Sequence, residues 1–244
     1  MNDTPTDTAP LNEADPAPPR QRRNRRRDTR LALIIAAERI FSEEGISNVS
    51  LRRITQAAGA RNESAIHYHF GSREGVVQAI LDHRTTPVNA DRVAMLQRLS
   101  AQGRPLGSRE VAEALCRPLA HYLRDSGGRS HYLRFLGMLW LDRPMWRHFE
   151  GRTLDEGLLT SLGALSEINP HLPKSLVRHR YGLAIQMSTY SLARMERAAF
   201  DAGPRWDWAR AEAQIESMID GVTAVFDAPL SPNTVRALRN CGEL

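Results

Sequence analysis

Residues 33–81 read LIIAAERIFSEEGISNVSLRRITQAAGARNESAIHYHFGSREGVVQAIL, and the spacing of short helical stretches in this segment decides the fold. From Asp28 to Glu44 the pattern is helical. Leu31, Ile34, Ile35, Glu38 and Phe41 mark one side, and Leu33, Ala37 and Ile40 widen the apolar stripe. Gly45 stands where a C-terminal cap belongs. After the turn Ile46 to Val49, Ser50 is a good N-cap for a second helix that buries Leu51, Ile54 and Ala58 and ends at Gly59. The polar turn Ala60-Arg61-Asn62 leads into a third helix from Glu63 to about Phe70. Gly71-Ser72 breaks the chain again. Ser72 caps a fourth helix running from Arg73 towards His83, with Glu74 placed to suit the helix dipole. The middle helices are too short to stand alone and must pack as a trio, which describes a helix-turn-helix with a supporting first helix.

Outward from this unit, the remaining chain reads as longer helices at about 88–101, 108–125, 130–140, 143–166, 174–201 and 206–227. Glycine and proline separate them, and Pro118 is expected to kink or divide the second. One further short helix follows Pro232 before the end frays. The expected class is all-α. Residues 1–19 are rich in Pro, Asp, Thr and Ala and carry no Lys or Arg, a composition that stays disordered. Arg20, Arg22, Arg23, Arg25, Arg26, Arg27 and Arg30 follow as a flexible basic arm. Such density attracts a polyanion, in cytosol nucleic acid; a solvated tail is the alternative.

Composition excludes several classes. With 41% hydrophobic and 25% charged residues the chain is an ordinary globular one, and no apolar run approaches the roughly 18 residues of a membrane span. The N-terminus has no apolar core of a secretory signal, so a cytoplasmic location is expected. The two cysteines, Cys116 and Cys241, lack disulfide or zinc spacing and read as reduced thiols, Cys116 in the core. No glycine-rich phosphate loop, HExxH or Gly-x-Ser-x-Gly elbow is present, so no enzyme and no cofactor is expected. His67 and His69 are two apart on a helix and point to different faces, so no metal pair is expected.

Segment 28–84 closely resembles the DNA-binding domain of the TetR/AcrR family of bacterial regulators. Ala36-Ala37 and Phe41 match its first helix; Val49-Ser50, Ile54 and Ala57-Ala58-Gly59 its second; Ile66, Tyr68, His69-Phe70 and Ser72-Arg73-Glu74 its third helix and the start of its fourth. The stretch from Gly59 to Phe70 is one residue longer than the family pattern, and His67 stands where Tyr is usual. A recognition helix presents its first turns to base edges in the major groove. Arg61, Asn62, Glu63, Ser64 and His67 lie there; Arg61 suits guanine and Asn62 suits adenine. The resemblance makes Tyr68 a phosphate contact. Ser50, Arg52, Arg53 and Arg73 lie at or near helix starts, where phosphates are held. Ser50 and Asn62 also qualify simply as caps. The arginine arm either enters the minor groove or adds non-specific affinity.

The resemblance further implies a C-terminal domain that dimerises and holds a small effector. The expected layout is an arm over 1–27, a DNA-binding domain over 28–84, a helical effector and dimer domain over 85–228, and a tail over 229–244. Helices 174–201 and 206–227 from two subunits would form a four-helix bundle. The effector, hydrophobic or aromatic, would meet Leu119, Tyr122, Phe135, Met138, Leu139, Trp140, Trp146, Phe149, Met187 and Tyr190; plain core is the other reading of these residues. The function implied is a homodimeric repressor on a near-palindromic double-stranded operator, released by the effector, with the fourth helix as lever. An activator, or a DNA-binding regulator without effector, has the same fold.

Overall fold

The computed structural model describes residues 19–60, 64–101, 103, 105–149 and 155–244. All regular structure among them is helix, as the sequence leads one to expect: α1 (Pro19–Glu44), α2 (Leu51–Ala57), α3 (Ala65–Phe70), α4 (Arg73–Ser100), α5 (Ser108–Asp125), α6 (Tyr132–Leu141), α7 (Arg143–Phe149), α8 (Glu156–Ile168), α9 (Lys174–Ala202), α10 (Trp208–Asp227) and α11 (Pro232–Asn240). A 3-10 turn, Gly203–Arg205, joins α9 to α10.

Four boundaries differ from expectation. Helix α1 begins at Pro19, so residues 19–27 continue the helix and do not form a flexible arm; residues 1–18 lie outside the described residues. Proline at a first helical position wastes no donor, arginine is a good helix former, and extending an existing helix is cheap. Helix α4 does not stop near His83. It runs through Pro87 to Ser100 and crosses the expected boundary at 84/85. A proline inside a helix costs about 3 kcal/mol, but Val88, Arg92 and Leu96 are buried beyond it, where α4 packs on α5 and α8. Likewise Pro118 is buried within an unbroken α5. The expected helix 143–166 is two, because the Asp155 carboxylate caps a new start, accepting from Leu158 N–H at 2.9 Å.

The core is continuous. Phe41 of α1 stacks on Phe135 of α6 with ring centroids 6.4 Å apart, joining the N-terminal trio to the helices behind it. Helix α5 lies among α4, α9 and α10. On the α10 side Arg117 pairs with Glu212 at 3.2 Å and with Glu216, and Arg124 with Glu212 at 2.6 Å. Cys116 is buried in this core, and burial pushes its thiol up to about 12, so it packs as an inert side chain.

Two buried carboxylates hold the N-terminus of α6. Glu38 of α1, 1% exposed, accepts from Arg84 Nε of α4 at 2.6 Å and from the His131 N–H at 3.2 Å. Glu196 of α9 accepts from Leu133 N–H at 3.3 Å, Arg134 N–H at 3.0 Å and Arg134 Nε at 3.2 Å. Each satisfies donors that a helix start leaves open. Burial raises Glu196 to about 7 from an ordinary 4.5, outweighing the Arg134 charge and the N–H bonds.

Glu38→Ala leaves the Arg84 guanidinium and the His131 N–H without their carboxylate in the interior. It is expected to cost about 3 kcal/mol in urea unfolding, and a loss under about 1 kcal/mol would show that solvent replaces the pair. Glu196 gives a second test. Between its ordinary value and about 7 the folded chain holds a proton that the unfolded chain has released. Its contribution to stability therefore falls as pH rises through that window and levels off above it. Glu196→Gln should remove this slope, so stability measured from about pH 5 to pH 8 should decline less steeply in the variant than in the parent.

Candidate DNA-reading surface and cavity

Each helix of the N-terminal trio is started or joined by a local device. Ser50 accepts from Arg53 N–H at 3.3 Å and caps α2; Ser72 accepts from Gly75 N–H at 3.2 Å and caps α4. Ile54 and Thr55 of α2 and Ala65 and Ile66 of α3 are buried against α1 and α4. Arg73 sends Nη1 to the carbonyls of Ile46 and Val49, both at 2.5 Å. This ties the first turn to the start of α4, and Arg73, expected at a phosphate, is a positioning residue in the free protein. Gly75 permits the α3–α4 junction: a Cβ there would lie 1.9 Å from the Phe70 carbonyl oxygen.

The outer surface of the trio is polar. Tyr68 is 65% exposed, and Ser64 and His67 near it in sequence and Arg52 and Arg53 of α2 are exposed as well. Arg53 also pairs with Glu44 at 2.6 Å, and His67 Nδ1 bonds the Gly71 carbonyl at 3.0 Å. Arg61, Asn62 and Glu63 lie outside the described residues. Two residues of the arginine run, expected on a flexible arm, are placed by helix α1 against this surface. Arg26 of α1 sits 4.8 Å from the Tyr68 ring centroid, and Arg30, one turn on, sits 5.3 Å from that of Phe70. Burial and then these two cations lower His69 below its ordinary 6.5. The signal for Arg26 and Arg30 was their spacing of four, legible only once the basic run is read as helix.

Behind the trio, α4 to α9 surround a cavity of about 970 Å³. Leu119, Leu139, Trp140, Trp146 and Phe149 line it, as expected. The other five expected residues do not. Phe135 is used against Phe41, and Tyr122 packs edge-on to Tyr132 and bonds Ser130 at 3.0 Å. Met138 is half-buried on α6 outside the lining, Met187 lies against Gly221 of α10, and Tyr190 reaches the Gly137 carbonyl at 3.4 Å. Sorting by side-chain type could not tell which side of α6 or α9 faced inwards. It also passed over Arg92, Asp155, Tyr132 and Tyr181, which do line the cavity. Arg92 is 3% exposed and pairs with Asp155 at 3.3 Å.

Helix α6 serves both regions. Tyr132, Leu136, Leu139 and Trp140 face the cavity, while Phe135 faces α1. Just past its end, Asp142 accepts from Ser47 N–H at 3.1 Å and Ser47 Oγ at 2.5 Å in the first turn of the trio.

Comparison with known proteins matches both halves. Residues 33–80 match the family described as bacterial regulatory proteins, tetR family, and residues 113–224 match the tetracyclin repressor-like C-terminal domain. The chain belongs to the TetR family. The HTH-type transcriptional regulator TtgR of Pseudomonas putida is 36% identical over 63 residues, 26% of this chain and 30% of the relative. The HTH-type transcriptional regulator SrpR of Pseudomonas putida is 34% identical over 64 residues, again 26% and 30%. The matched segments thus span under a third of either relative. A putative TetR-family transcriptional regulator from Mesorhizobium loti superposes with a TM-score of 0.49 at 18% identity, over 83% of this chain and 96% of its own. The TetR family consists of DNA-binding regulators, not enzymes. Among the described residues, no helix is long and apolar enough to cross a membrane.

Gly75→Ala tests the junction that sets α3. Its methyl meets backbone, which cannot swing aside, so the variant should lose cooperative melting of the N-terminal trio or shift its helix content, followed by circular dichroism. Retention of the parental melting curve and of the parental DNA affinity would mean that α3 and α4 tolerate another crossing.

Proposed function

We propose that this TetR-family chain is an effector-responsive transcriptional repressor that binds a near-palindromic operator as a homodimer. The observation that carries the proposal is helix α4. It begins beneath the exposed α3 and continues unbroken into the wall of the 970 Å³ cavity. Whatever enters the cavity bears on the same helix that carries the DNA-reading unit. Residues 28–84 form that unit, residues 85–228 the effector and dimer unit with α4 shared between them, and 229–244 the tail.

His67 of α3, with Arg61, Asn62, Glu63 and Ser64 before the helix, forms the proposed reading edge in the major groove. Tyr68, Arg52, Arg53 and Ser50 are the proposed phosphate contacts, joined by Arg26 and Arg30 of the basic helical extension. Leu183, Tyr190 and Phe200 of α9 are exposed apolar side chains, which supports pairing of α9 and α10 with a second copy. An effector releases DNA only to the extent that it prefers the non-binding spacing of the two reading units. The apolar and aromatic lining supports a hydrophobic or aromatic effector.

Selection from a random duplex library at fixed salt tests the reading. A near-palindromic site is expected. On that site Arg26→Ala should weaken binding evenly across sequences and reduce the salt slope by about one. Tyr68→Ala should weaken it about tenfold. Absence of an enriched site, or enrichment of an asymmetric one bound by a monomer, rejects the proposal.

A further inference from the structure

One end of the cavity is built differently from the rest. There α8 starts against α4, and Gly157 makes the approach possible: a Cβ on it would lie 2.6 Å from Asn89 Oδ1 and 3.0 Å from Arg92 Cδ. Asn89 Oδ1 accepts from Gly157 N–H at 3.0 Å. Arg92 sends Nε to the Ala114 carbonyl at 3.1 Å and Nη1 to the two oxygens of Asp155 at 3.4 and 3.3 Å. These last contacts are long for a guanidinium–carboxylate pair, which closes to about 2.8 Å when the fork is engaged squarely. Asp155 meanwhile spends an oxygen on capping α8. The positive end of that helix offsets part of its charge, so Asp155 does not fully balance the guanidinium.

The groups left over at this end are donors. Among the described residues neither Nη2 of Arg92 nor the amide nitrogen of Asn89 has a hydrogen-bond partner, and both residues line the cavity. The hydroxyls nearby are already donating to protein: Tyr181 to the Leu158 carbonyl at 2.9 Å and Ser161 to the Gly157 carbonyl at 2.8 Å. The remaining charged side chains of the lining, Asp82, Arg143, Glu156 and Arg178, carry both signs and are exposed to solvent. Away from this end the walls are apolar, among them Leu119, Leu136, Leu139, Trp140 and Ile185.

From the unpaired donors of Arg92 and Asn89 where α8 starts against α4, at one end of a largely apolar cavity, we infer that the effector is an amphipathic carboxylate, its head on Arg92 and Asn89 and its hydrocarbon part along the apolar walls. The inference rests on the cavity being the effector site and adds the chemistry of the head group. A carboxylate supplies only acceptors, matching the surplus, and takes the free edge of the guanidinium. An ammonium head would bring three more donors to a place that already has too many. An alcohol would use one contact and add no negative charge beside the guanidinium. Because Arg92 lies on α4, an anion that draws on it acts on the helix that begins in the DNA-reading unit.

Isothermal titration of the full chain with sodium decanoate, decan-1-ol and decylammonium chloride, each below its micelle concentration, separates the possibilities. Decanoate should bind at least about tenfold more tightly than decylammonium, the worth of one charge-assisted hydrogen bond. Arg92→Lys keeps the charge but loses the fork, and Asn89→Ala loses the second donor. Each should weaken decanoate selectively, by about tenfold, and leave decan-1-ol within about twofold. Thermal unfolding of both variants checks that they fold, and one folded variant suffices. Equal affinity for the three probes, or a preference for decylammonium, overturns the head-group assignment and leaves the cavity reading standing. So does an equal loss of all three in a folded variant. Binding of none of the three overturns both.

Discussion

A single buried carboxylate ties the molecule together. Glu38 belongs to α1, yet its oxygens serve Arg84 of α4 and the N–H of His131, which precedes α6. A carboxylate 1% exposed is costly unless its partners are complete. Helices α1, α4 and α6 therefore keep one mutual arrangement or lose the pair. The DNA-reading trio hangs from α1 and α4, and the cavity is walled by α4 and α6, so the two regions are coupled through a contact that tolerates little slack.

Helix α6 is the second structural link. Its two sides answer to different partners at a spacing of about one turn. Phe135 and the adjoining Asp142 grip α1 and the first turn of the trio, while Tyr132, Leu136 and Leu139 form cavity wall. Tyr132 also meets Thr85 of α4 at 3.1 Å. The ten residues of this helix are thus fastened both to the cavity wall and to the N-terminal trio. Close-packed interiors shift between discrete arrangements and do not deform smoothly, which suits such a part to a switching role.

The reading surface follows the same economy. Arg73, attractive as a phosphate contact, is used to fasten the first turn, and Arg26 and Arg30 bring cations alongside Tyr68 and Phe70. Residues at helix starts are the ones a polar backbone needs most. A charged side chain there is often claimed by the protein itself, while charge carried on an exposed helical face remains available to a partner.

The sequence by itself determined the local devices. Periodicity, the caps at Ser50 and Ser72 and the glycine breaks placed the end of α1, helices α2 and α3 and the start of α4, because each depends on residues within a few positions of one another. It also placed α5, α9 and α10 closely. Tertiary structure decided where a local preference was overruled. Pro87 and Pro118 lie inside helices whose far sides are buried, and packing there outweighs the lost hydrogen bonds. It also decided which side of each C-terminal helix faces the cavity. Leu139 and Trp140 were legible, but Phe135 and Met187 point elsewhere, and Arg92 and Asp155, distant in sequence and charged, became neighbours only when α8 closed on α4 over Gly157. Nothing in a helix's own periodicity records which neighbour its stripe will meet. That choice is made by long-range packing and by the pairing of buried charge.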